Sequence, residues 1–272
     1  MIGVFDSGIG GLSVLKALRA ELPLEHFIYI ADSAHAPYGE RDAAYVVRRS
    51  RAISKYLKSL NVEALVIACN TATAAAIALL RADHPGLAII GVEPAVKPAV
   101  RLSRTRHIGV IATRSTLASA KFQALLASQA GWANFTMQPC DDLAVSIERS
   151  MLTGDNIKTI ADCTRYINSM GRFGSQNGQI DTLVLGCTHY PFASAHLHAL
   201  LGPNVQLVDN SGAVARQTRR QLEKAGALRA SPGPASAGKI SLFSTGQTDA
   251  LDAAAQYWLG PKVAITSKKL RF

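Results

Sequence analysis

Short runs of apolar residues alternate along the chain with longer segments in which apolar residues recur every three to four positions. The apolar runs predict β-strands at residues 2–5, 27–30, 65–68, 88–91, 108–111, 135–138, 182–185, 206–208 and 239–243. The amphipathic segments predict helices, among them 11–21, 43–60, 73–82, 117–130 and 210–225. Fully apolar strands separated by amphipathic helices are typical of parallel sheets covered on both faces, so we predict an α/β fold.

The pattern restarts near the middle of the chain. Residues 2–7 (Ile-Gly-Val-Phe-Asp-Ser) have a counterpart at 108–113 (Ile-Gly-Val-Ile-Ala-Thr), and the apolar run that ends at Cys69 has a counterpart that ends at Cys187. This repetition predicts a duplicated α/β unit with a boundary near residues 94–106. The stretch 230–238, rich in Pro, Gly, Ser and Ala, predicts a loop before a last strand and helix.

Both matched runs end in a cysteine that is followed by small polar residues. Ligands of open α/β sheets bind at the carboxyl ends of the strands, where we expect Asp6, Cys69, Thr113 and Cys187. A thiol that ends a buried strand at the start of a helix can be held as a thiolate. The sequence therefore predicts two matched thiols, one in each half of the chain, that face one substrate.

Composition and charge narrow the class of protein. The chain has 272 residues, of which 48% are hydrophobic and 18% charged, as in an ordinary globular protein. Its net charge is +10, but the basic clusters are short and scattered, so we expect solvated surfaces that attract anionic substrates and no direct role in nucleic-acid binding. Because no apolar run approaches the roughly 20 residues that span a bilayer, and no basic leader precedes the first strand, we expect a cytoplasmic protein without a membrane partner.

The four cysteines match neither a metal site nor a disulfide framework. Cys69, Cys140, Cys163 and Cys187 include no Cys-x-x-Cys pair, so we expect no metal and no disulfide bond. Cys163 lies on a predicted helix and is interpreted as part of the core. His189 lies two residues past Cys187, where it can tune the pKa of that thiol.

Two loops allow more than one interpretation. Residues 6–11 (Asp-Ser-Gly-Ile-Gly-Gly) resemble a phosphate-binding loop, but Ser13 stands where the third glycine of the dinucleotide pattern belongs. Because Asp6 would repel phosphate, we favour a tight turn that directs Asp6 and several N–H groups into a cleft. Residues 32–39 are either a structural turn or a binding loop in which the hydroxyl of Tyr38 is available to a ligand.

Taken in order, these motifs resemble those of the glutamate racemases, which belong to the cofactor-independent aspartate/glutamate racemase family. The resemblance runs from Met1 to about Trp258 and rests on residues 6–11, 32–39, 69–71, 91–94 and 186–191. It implies two flavodoxin-like α/β domains in a pseudo-twofold relation, with the active site in the cleft between them. The first domain would comprise residues 1–96 and 208–272 and carry Cys69, and the second would comprise residues 97–207 and carry Cys187.

The resemblance also implies a mechanism that needs no cofactor. Cys69 and Cys187 would exchange a proton with the α-carbon of glutamate on opposite faces, and analogy assigns the D enantiomer to Cys69. Asp6 would assist the first thiol and His189 the second, with Glu148 supporting the histidine. The implied substrate-binding residues carry hydroxyl, amide, carboxylate, imidazole or backbone N–H groups, and they are Asp6, Ser7, Tyr38, Gly39, Asn70, Thr71, Thr113, Thr116, Thr188 and His189.

The resemblance implies a physiological role and leaves alternatives open. It implies D-glutamate for peptidoglycan synthesis as the product and a homodimer as the assembly. Residues 140–143 (Cys-Asp-Asp-Leu) are more acidic than the apolar sequence common at that place in the family. Since the chain begins directly at the first strand, we expect activity without the cell-wall precursor that activates some relatives. The alternatives are an aspartate or broad-specificity racemase, a hydrolase or decarboxylase with a single catalytic thiol, and an additional interaction with DNA gyrase.

Overall fold

A computed structural model describes residues 1–229, 238–260 and 267–272, so most of the predicted loop at 230–238 lies outside the described residues. The strands are β1 Ile2–Asp6, β2 Phe27–Ala31, β3 Ala64–Ile67, β4 Ala88–Gly91, β5 His107–Ala112, β6 Asn134–Pro139, β7 Thr182–Leu185, β8 Gln206–Val208, β9 Ile240–Ser244 and β10 Ser267–Lys269. The α-helices are α1 Leu12–Glu21, α2 Ala43–Ser59, α3 Asn70–Asp83, α4 Val96–Leu102, α5 Arg114–Ala118, α6 Ala120–Ala127, α7 Leu143–Thr153, α8 Ile157–Asn168, α9 Ser194–Leu201, α10 Ser211–Lys224 and α11 Asp249–Leu259. Short 3₁₀ helices cover Ser33–His35, Tyr38–Glu40 and Tyr190–Ala193.

The strands form two parallel sheets that repeat one strand order. The first sheet runs β10-β9-β2-β1-β3-β4 and the second runs β6-β5-β7-β8. The order β2-β1-β3-β4 in the first sheet matches β6-β5-β7-β8 in the second, so β1 corresponds to β5 and β3 corresponds to β7. The predicted α/β class and the duplicated, flavodoxin-like unit are therefore confirmed.

The two ends of the chain meet in the first sheet. Strand β9 pairs with β2, with Ile240 opposite Phe27, and β10 extends the sheet beyond β9. Strand β8 belongs to the second sheet, where Val208 lies opposite Val184. The domain boundaries at 96/97 and 207/208 stay a prediction.

The central strands are buried on both faces because helices cover both sides of each sheet. Every residue of β1, β2, β3 and β7 is buried, including the polar Asp6 and Thr182. These strands therefore appear in the sequence as continuous apolar runs without alternation. Their carboxyl ends, where the chain turns back into a helix, are the places at which polar side chains become available to a ligand.

One predicted helix is wrong. Residues 117–130 do not form a single helix, because α5 ends at Ala118 and α6 begins at Ala120. Ser119 between them has an extended backbone (ψ 139°), and its hydroxyl accepts the N–H of Phe122 as an N-cap. Strand β10 was not predicted, since its sequence, Ser-Lys-Lys, is polar.

Within the described ranges, no helix combines the length and the apolar character needed to cross a membrane.

Candidate active site

A cleft lies at the carboxyl ends of both sheets, and both matched thiols line it. It encloses about 910 Å³ of space, part of which is open to solvent. The loops that follow β1, β2 and β3 form one wall, and those that follow β5, β6 and β7 form the other. The lining residues are Ser7, Ser33, Ala36, Pro37, Tyr38, Gly39, Glu40, Cys69, Asn70, Thr71, Thr113, Cys140, Asp141, Asp142, Ala144, Val145, Glu148, Cys187, Thr188 and His189.

Cys69 lies two residues past the end of β3 and caps the helix that follows. It is the N-cap residue of α3, and its Sγ accepts the N–H of Ala72 at 3.4 Å. This backbone donor and the positive end of the helix dipole favour the thiolate. Helix α3 therefore begins at Asn70, three residues before its predicted start. The Sγ of Cys69 also lies 3.8 Å from the hydroxyl of Ser7.

Asp6 lies behind Ser7 and is fully buried at the end of β1. Its carboxylate accepts N–H groups from Ser7 at 2.8 Å and Gly11 at 2.6 Å, and the hydroxyl of Thr188 at 3.4 Å. Burial raises the pKa of Asp6, although these N–H groups and the charge of His189 oppose that shift. Burial, and after it the negative charge of Asp6, raise the pKa of Cys69 well above its ordinary value. Asp6 thus acts on the first thiol through its charge, with Ser7 between them.

Cys187 has a different partner. It lies two residues past the end of the corresponding strand β7, where a turn and a 3₁₀ helix follow it. Its Sγ lies 3.7 Å from Nδ1 of His189. The Nε2 of His189 lies 2.8 Å from Oε1 of Glu148. Burial alone would lower the pKa of His189, but its hydrogen bonds to Cys187 and Glu148 raise that pKa well above the ordinary value. The arrangement favours an imidazolium held between a thiol and a carboxylate.

Glu148 lies on α7 and has two partners, His189 on its own wall of the cleft and the glycine-rich loop on the opposite wall. Besides His189, it accepts the N–H of Ile9 at 2.9 Å. Burial would raise the pKa of Glu148, but the hydrogen bond and the charge of His189 outweigh burial and lower it. The hydrogen bond from Ile9 to Glu148 therefore connects a helix of the second half of the chain to the glycine-rich loop of the first.

The glycines of this loop make room for the ion pair of His189 and Glu148. A Cβ on Gly8 would lie 1.9 Å from Oε1 of Glu148, and a Cβ on Gly10 would lie 2.4 Å from Nδ1 of His189. The N–H groups of the loop bind carboxylates of the protein itself, through Ser7 and Gly11 to Asp6 and through Ile9 to Glu148. These contacts favour the tight turn over a phosphate-binding loop.

Four predicted substrate-binding residues carry polar groups that either lack a hydrogen-bond partner among the described residues or bond to one another. Asn70 is 4% exposed, and neither its amide oxygen nor its amide nitrogen has a partner among the described residues. Thr71 on α3 lies 3.1 Å from the hydroxyl of Thr113 and 3.4 Å from that of Thr116, so the three hydroxyls connect the two walls. A buried amide without a partner is costly, which suggests that a polar ligand group completes it.

Tyr38 lines the cleft, but its hydroxyl is not available as we expected. The hydroxyl donates to Oδ2 of Asp32 at 2.5 Å, and the same carboxylate binds Arg49 and the hydroxyl of Thr245. Burial and the charge of Asp32 raise the pKa of Tyr38 further. Tyr38 therefore offers its ring and backbone to a ligand. Its neighbour Gly39 packs against Thr113 of the opposite wall, where a Cβ would lie 2.9 Å from the threonine methyl carbon.

Most of the predicted site residues meet in this cleft, with two exceptions. Asp6 and Thr116 do not line it and lie behind Ser7 and Thr113, respectively. The predicted site residues left out several residues that line the cleft, although 32–39 was considered as a binding loop. They are Ser33, Ala36, Pro37, Glu40, Cys140, Asp141, Asp142, Ala144 and Val145. They follow β2 and β6, so the strand-end rule that identified the thiols could have found them, Cys140 included. The described residues contain no group of three or more potential metal ligands.

Relatives and solved structures match this chain over nearly its full length. The glutamate racemase of Ectopseudomonas mendocina is 42% identical over 264 residues, which are 97% of this chain and 96% of that protein. The structure of Escherichia coli glutamate racemase with L-glutamate and the activator UDP-MurNAc-ala superposes with a TM-score of 0.83 at 31% identity, covering 99% of this chain and 97% of that one. The structure of Francisella tularensis glutamate racemase with D-glutamate gives 0.81 at 26% identity and the same coverage.

The match to a protein family covers most of both walls. Residues 10–218 match the Asp/Glu/Hydantoin racemase family, and this range includes both cleft thiols, Glu148 and His189. Four of the five motifs that carry the resemblance, 32–39, 69–71, 91–94 and 186–191, lie within that match, and residues 6–11 overlap its start. The chain belongs to the Asp/Glu/Hydantoin racemase family.

Proposed function

We propose that the protein is a glutamate racemase that interconverts L- and D-glutamate by proton transfer between two thiols. The observation that carries this proposal is the presence of Cys69 and Cys187 at matched strand ends of one cleft, each with its own partner group. The relatives named glutamate racemase, 42% identical over nearly the full chain in one case, support glutamate as the substrate.

Inversion needs a base on one face of the α-carbon and an acid on the other. The thiolate takes the α-proton, and the electron pair of the broken C–H bond stays on the α-carbon and its carboxylate. The opposite thiol then gives its proton to the other face and becomes the thiolate. No net proton is consumed, and the roles of Cys69 and Cys187 are exchanged after each turnover.

The partner groups act differently on the ionisation of the two thiols. His189, held as an imidazolium by Glu148, stabilises a thiolate at Cys187 and can return a proton to it. At Cys69 the N–H of Ala72 and the hydroxyl of Ser7 favour the thiolate, whereas burial and Asp6 oppose it. We propose Asp6 and His189 as the helpers of the first and second thiol.

The carbanion is stabilised by polar groups around the substrate carboxylates. Asn70, with its unpartnered amide, and the hydroxyls of Thr71 and Thr188 are the groups we assign to them. Further proposed contacts come from Ser7, Tyr38, Gly39, Thr113, Thr116, Asp6 and His189. Closure of the two walls around glutamate would exclude water from the carbanion.

The remaining expectations extend this proposal. We propose the domain division 1–96 with 208–272 and 97–207, a cytoplasmic location, a homodimer, and D-glutamate for peptidoglycan as the physiological product. Light scattering tests the homodimer. An aspartate or broad-specificity racemase would turn over both enantiomers of aspartate as fast as those of glutamate. The interaction with DNA gyrase stays a prediction, and gyrase inhibition that survives Cys69→Ala would separate it from catalysis.

Racemisation in deuterated water tests the proposed function. The purified protein, without a cell-wall precursor, should convert either enantiomer of glutamate and incorporate solvent deuterium at the α-carbon of the product. Cys69→Ala and Cys187→Ala should each abolish conversion, while Cys163→Ala, which removes a buried thiol outside the cleft, should not. Conversion that persists in either cleft variant would overturn the two-thiol mechanism.

A further inference from the structure

Ser13 connects the first helix to the turn that carries the second thiol's partner. It is the second residue of α1 and is 5% exposed. Its Oγ lies 2.8 Å from the carbonyl of Gly10 and 3.0 Å from the carbonyl of Thr188, which is 175 residues away. A serine hydroxyl has one proton to donate, so these two carbonyls compete for it.

The hydroxyl proton is needed at Thr188 and not at Gly10. The carbonyl of Gly10 already accepts the backbone N–H of Ser13 at 3.1 Å. The carbonyl of Thr188 would ordinarily receive the N–H three residues on, but that residue is Pro191, which has none. No backbone N–H among the described residues donates to it. The hydroxyl of Ser13 therefore replaces the backbone N–H that Pro191 lacks.

The peptide that Ser13 holds is the one that joins Thr188 to His189. Its carbonyl belongs to Thr188 and its nitrogen to His189. The orientation of this peptide therefore determines the direction in which the side chain of His189 leaves the backbone. The imidazole has little freedom, because its Nδ1 lies 2.4 Å from where a Cβ on Gly10 would be, and it must reach both Cys187 at 3.7 Å and Glu148 at 2.8 Å. A buried carbonyl left without a donor would turn toward another partner and move the ring.

We propose that Ser13 is a positioning residue for catalysis, whose hydroxyl orients the Thr188–His189 peptide so that the imidazole can serve Cys187. This inference rests on the proposed function for its kinetic consequence. Its geometry explains why a serine stands where a dinucleotide-binding loop would have its third glycine. A glycine there could not bind the Thr188 carbonyl.

Ser13→Ala tests the proposal, and the chain offers a matched control. Ser50 on α2 is buried as well, and its hydroxyl has no partner among the described residues, so Ser50→Ala removes a buried hydroxyl without removing a contact. Ser13→Ala should lower kcat for glutamate by about 5- to 10-fold, the value of one buried hydrogen bond. Ser50→Ala should leave kcat within about twofold, and Ser13→Thr, which keeps the hydroxyl, should recover most of the loss.

Pro191→Ala provides a second background in which the effect of Ser13→Ala can be measured. It places an N–H three residues after Thr188, so the carbonyl gains a donor that does not depend on Ser13. Ser13→Ala should then cost less than about twofold in the Pro191→Ala background. An equal loss in both backgrounds would show that the effect of Ser13 does not pass through the Thr188 carbonyl, and would overturn the proposal.

Titration of His189 by NMR gives a readout that does not depend on turnover. With ¹⁵N-labelled histidine and His189→Gln to assign the signal, the midpoint of His189 should fall in Ser13→Ala toward that of an ordinary histidine and stay unchanged in Ser50→Ala. Unchanged midpoint and kcat in Ser13→Ala would overturn the positioning role. Absence of racemisation in the unmodified protein would instead overturn the proposed function, and the titration would still decide the role of Ser13.

Discussion

The two cleft thiols occupy matched places in the duplicated fold and receive different help. Cys69 caps α3, and a backbone N–H and a hydroxyl favour its thiolate form. Burial and the charge of Asp6 oppose the thiolate and raise the pKa of Cys69. Cys187 begins no helix and lies beside an imidazole whose pKa is raised by hydrogen bonds to that thiol and to Glu148. The duplicated fold places a thiol at each of two matched strand ends, and the loops that follow these strands give the two thiols different neighbouring groups.

This inequality suits a catalyst that must accept both enantiomers. With His189 as an imidazolium, a thiolate at Cys187 would have a charge partner, whereas burial and Asp6 favour the protonated thiol at Cys69. That state can remove a proton from the enantiomer whose α-hydrogen faces Cys187. The other enantiomer needs the reverse state, which each turnover produces. Variants that act on one thiol's partner should therefore disturb the two thiols to different extents.

His189→Gln should have the largest effect among the partner groups. It removes the only side chain within hydrogen-bonding distance of Cys187 among the described residues, and loss of an acid–base group costs about 10²- to 10³-fold in kcat. Ser7→Ala, which removes the hydroxyl beside Cys69, should cost about tenfold, because the backbone N–H of Ala72 remains. Steady-state racemisation rates measure both. His198→Gln, an exposed histidine on α9, is the control, and equal losses for the two thiols would contradict the unequal arrangement.

Glu148→Gln should shift the pH dependence as well as the rate. The carboxylate helps to raise the pKa of His189, so its removal lowers that pKa, and the imidazolium is lost at a lower pH. The alkaline limb of kcat against pH should therefore move toward acid, and kcat at neutral pH should fall by about tenfold. Glu223→Gln on the surface of α10 should change neither. An alkaline limb that stays in place would mean that His189 does not depend on Glu148.

Asp6→Asn should make Cys69 more reactive while it slows racemisation. The negative charge of Asp6 raises the pKa of Cys69, so a neutral amide lowers that pKa and increases the thiolate fraction at a given pH. Alkylation of Cys69 by iodoacetamide at pH 8, followed by peptide mass spectrometry, should accelerate by up to about tenfold. Asp155→Asn makes the same change in net charge on the surface. Unchanged alkylation would mean that Asp6 does not act on the first thiol through its charge.

Tyr38→Phe should have the smallest effect on activity. Its hydroxyl donates to Asp32 and not to the cleft, so the KM for glutamate should change by less than about threefold. The free energy of unfolding should fall by about 1.5–3 kcal/mol, because a buried carboxylate loses a donor. Urea denaturation measures the loss, with the exposed Tyr257→Phe as the control. A large rise in KM without loss of stability would show that the hydroxyl binds substrate.

The fold could be predicted in most of its strands because burial on both faces leaves a continuous apolar run. It could not be predicted where a single polar contact decides the backbone, as at Ser119, whose hydroxyl divides one amphipathic segment into α5 and α6. Strand β10 could not be predicted because its sequence has no apolar run. Its pairing with β9 depends on the backbone, and its two lysines carry no hydrophobic signal.

The site could be predicted where a chemical group stands at a strand end or matches a family motif. Cys69, Cys187 and His189 follow from that rule, and family resemblance supplied Glu148. Two contacts could not be predicted, because they depend on how the folded chain brings the groups together. They are the hydrogen bond from Ser13 to the Thr188 carbonyl and the hydrogen bond from the Tyr38 hydroxyl to Asp32. Such contacts have no local sequence signal, because the residue types alone do not indicate which distant residue each side chain contacts.

The most direct test of two thiols on opposite faces is proton exchange in each single-thiol variant. Cys69→Ala and Cys187→Ala would be incubated separately with L- and D-glutamate in deuterated water, with the α-proton followed by NMR and the enantiomers separated by chromatography. Neither variant should racemise glutamate, and each should exchange the α-proton of one enantiomer only, L for Cys69→Ala and D for Cys187→Ala. Exchange of the same enantiomer by both variants, or racemisation by either, would contradict the assignment of one thiol to each face of the α-carbon.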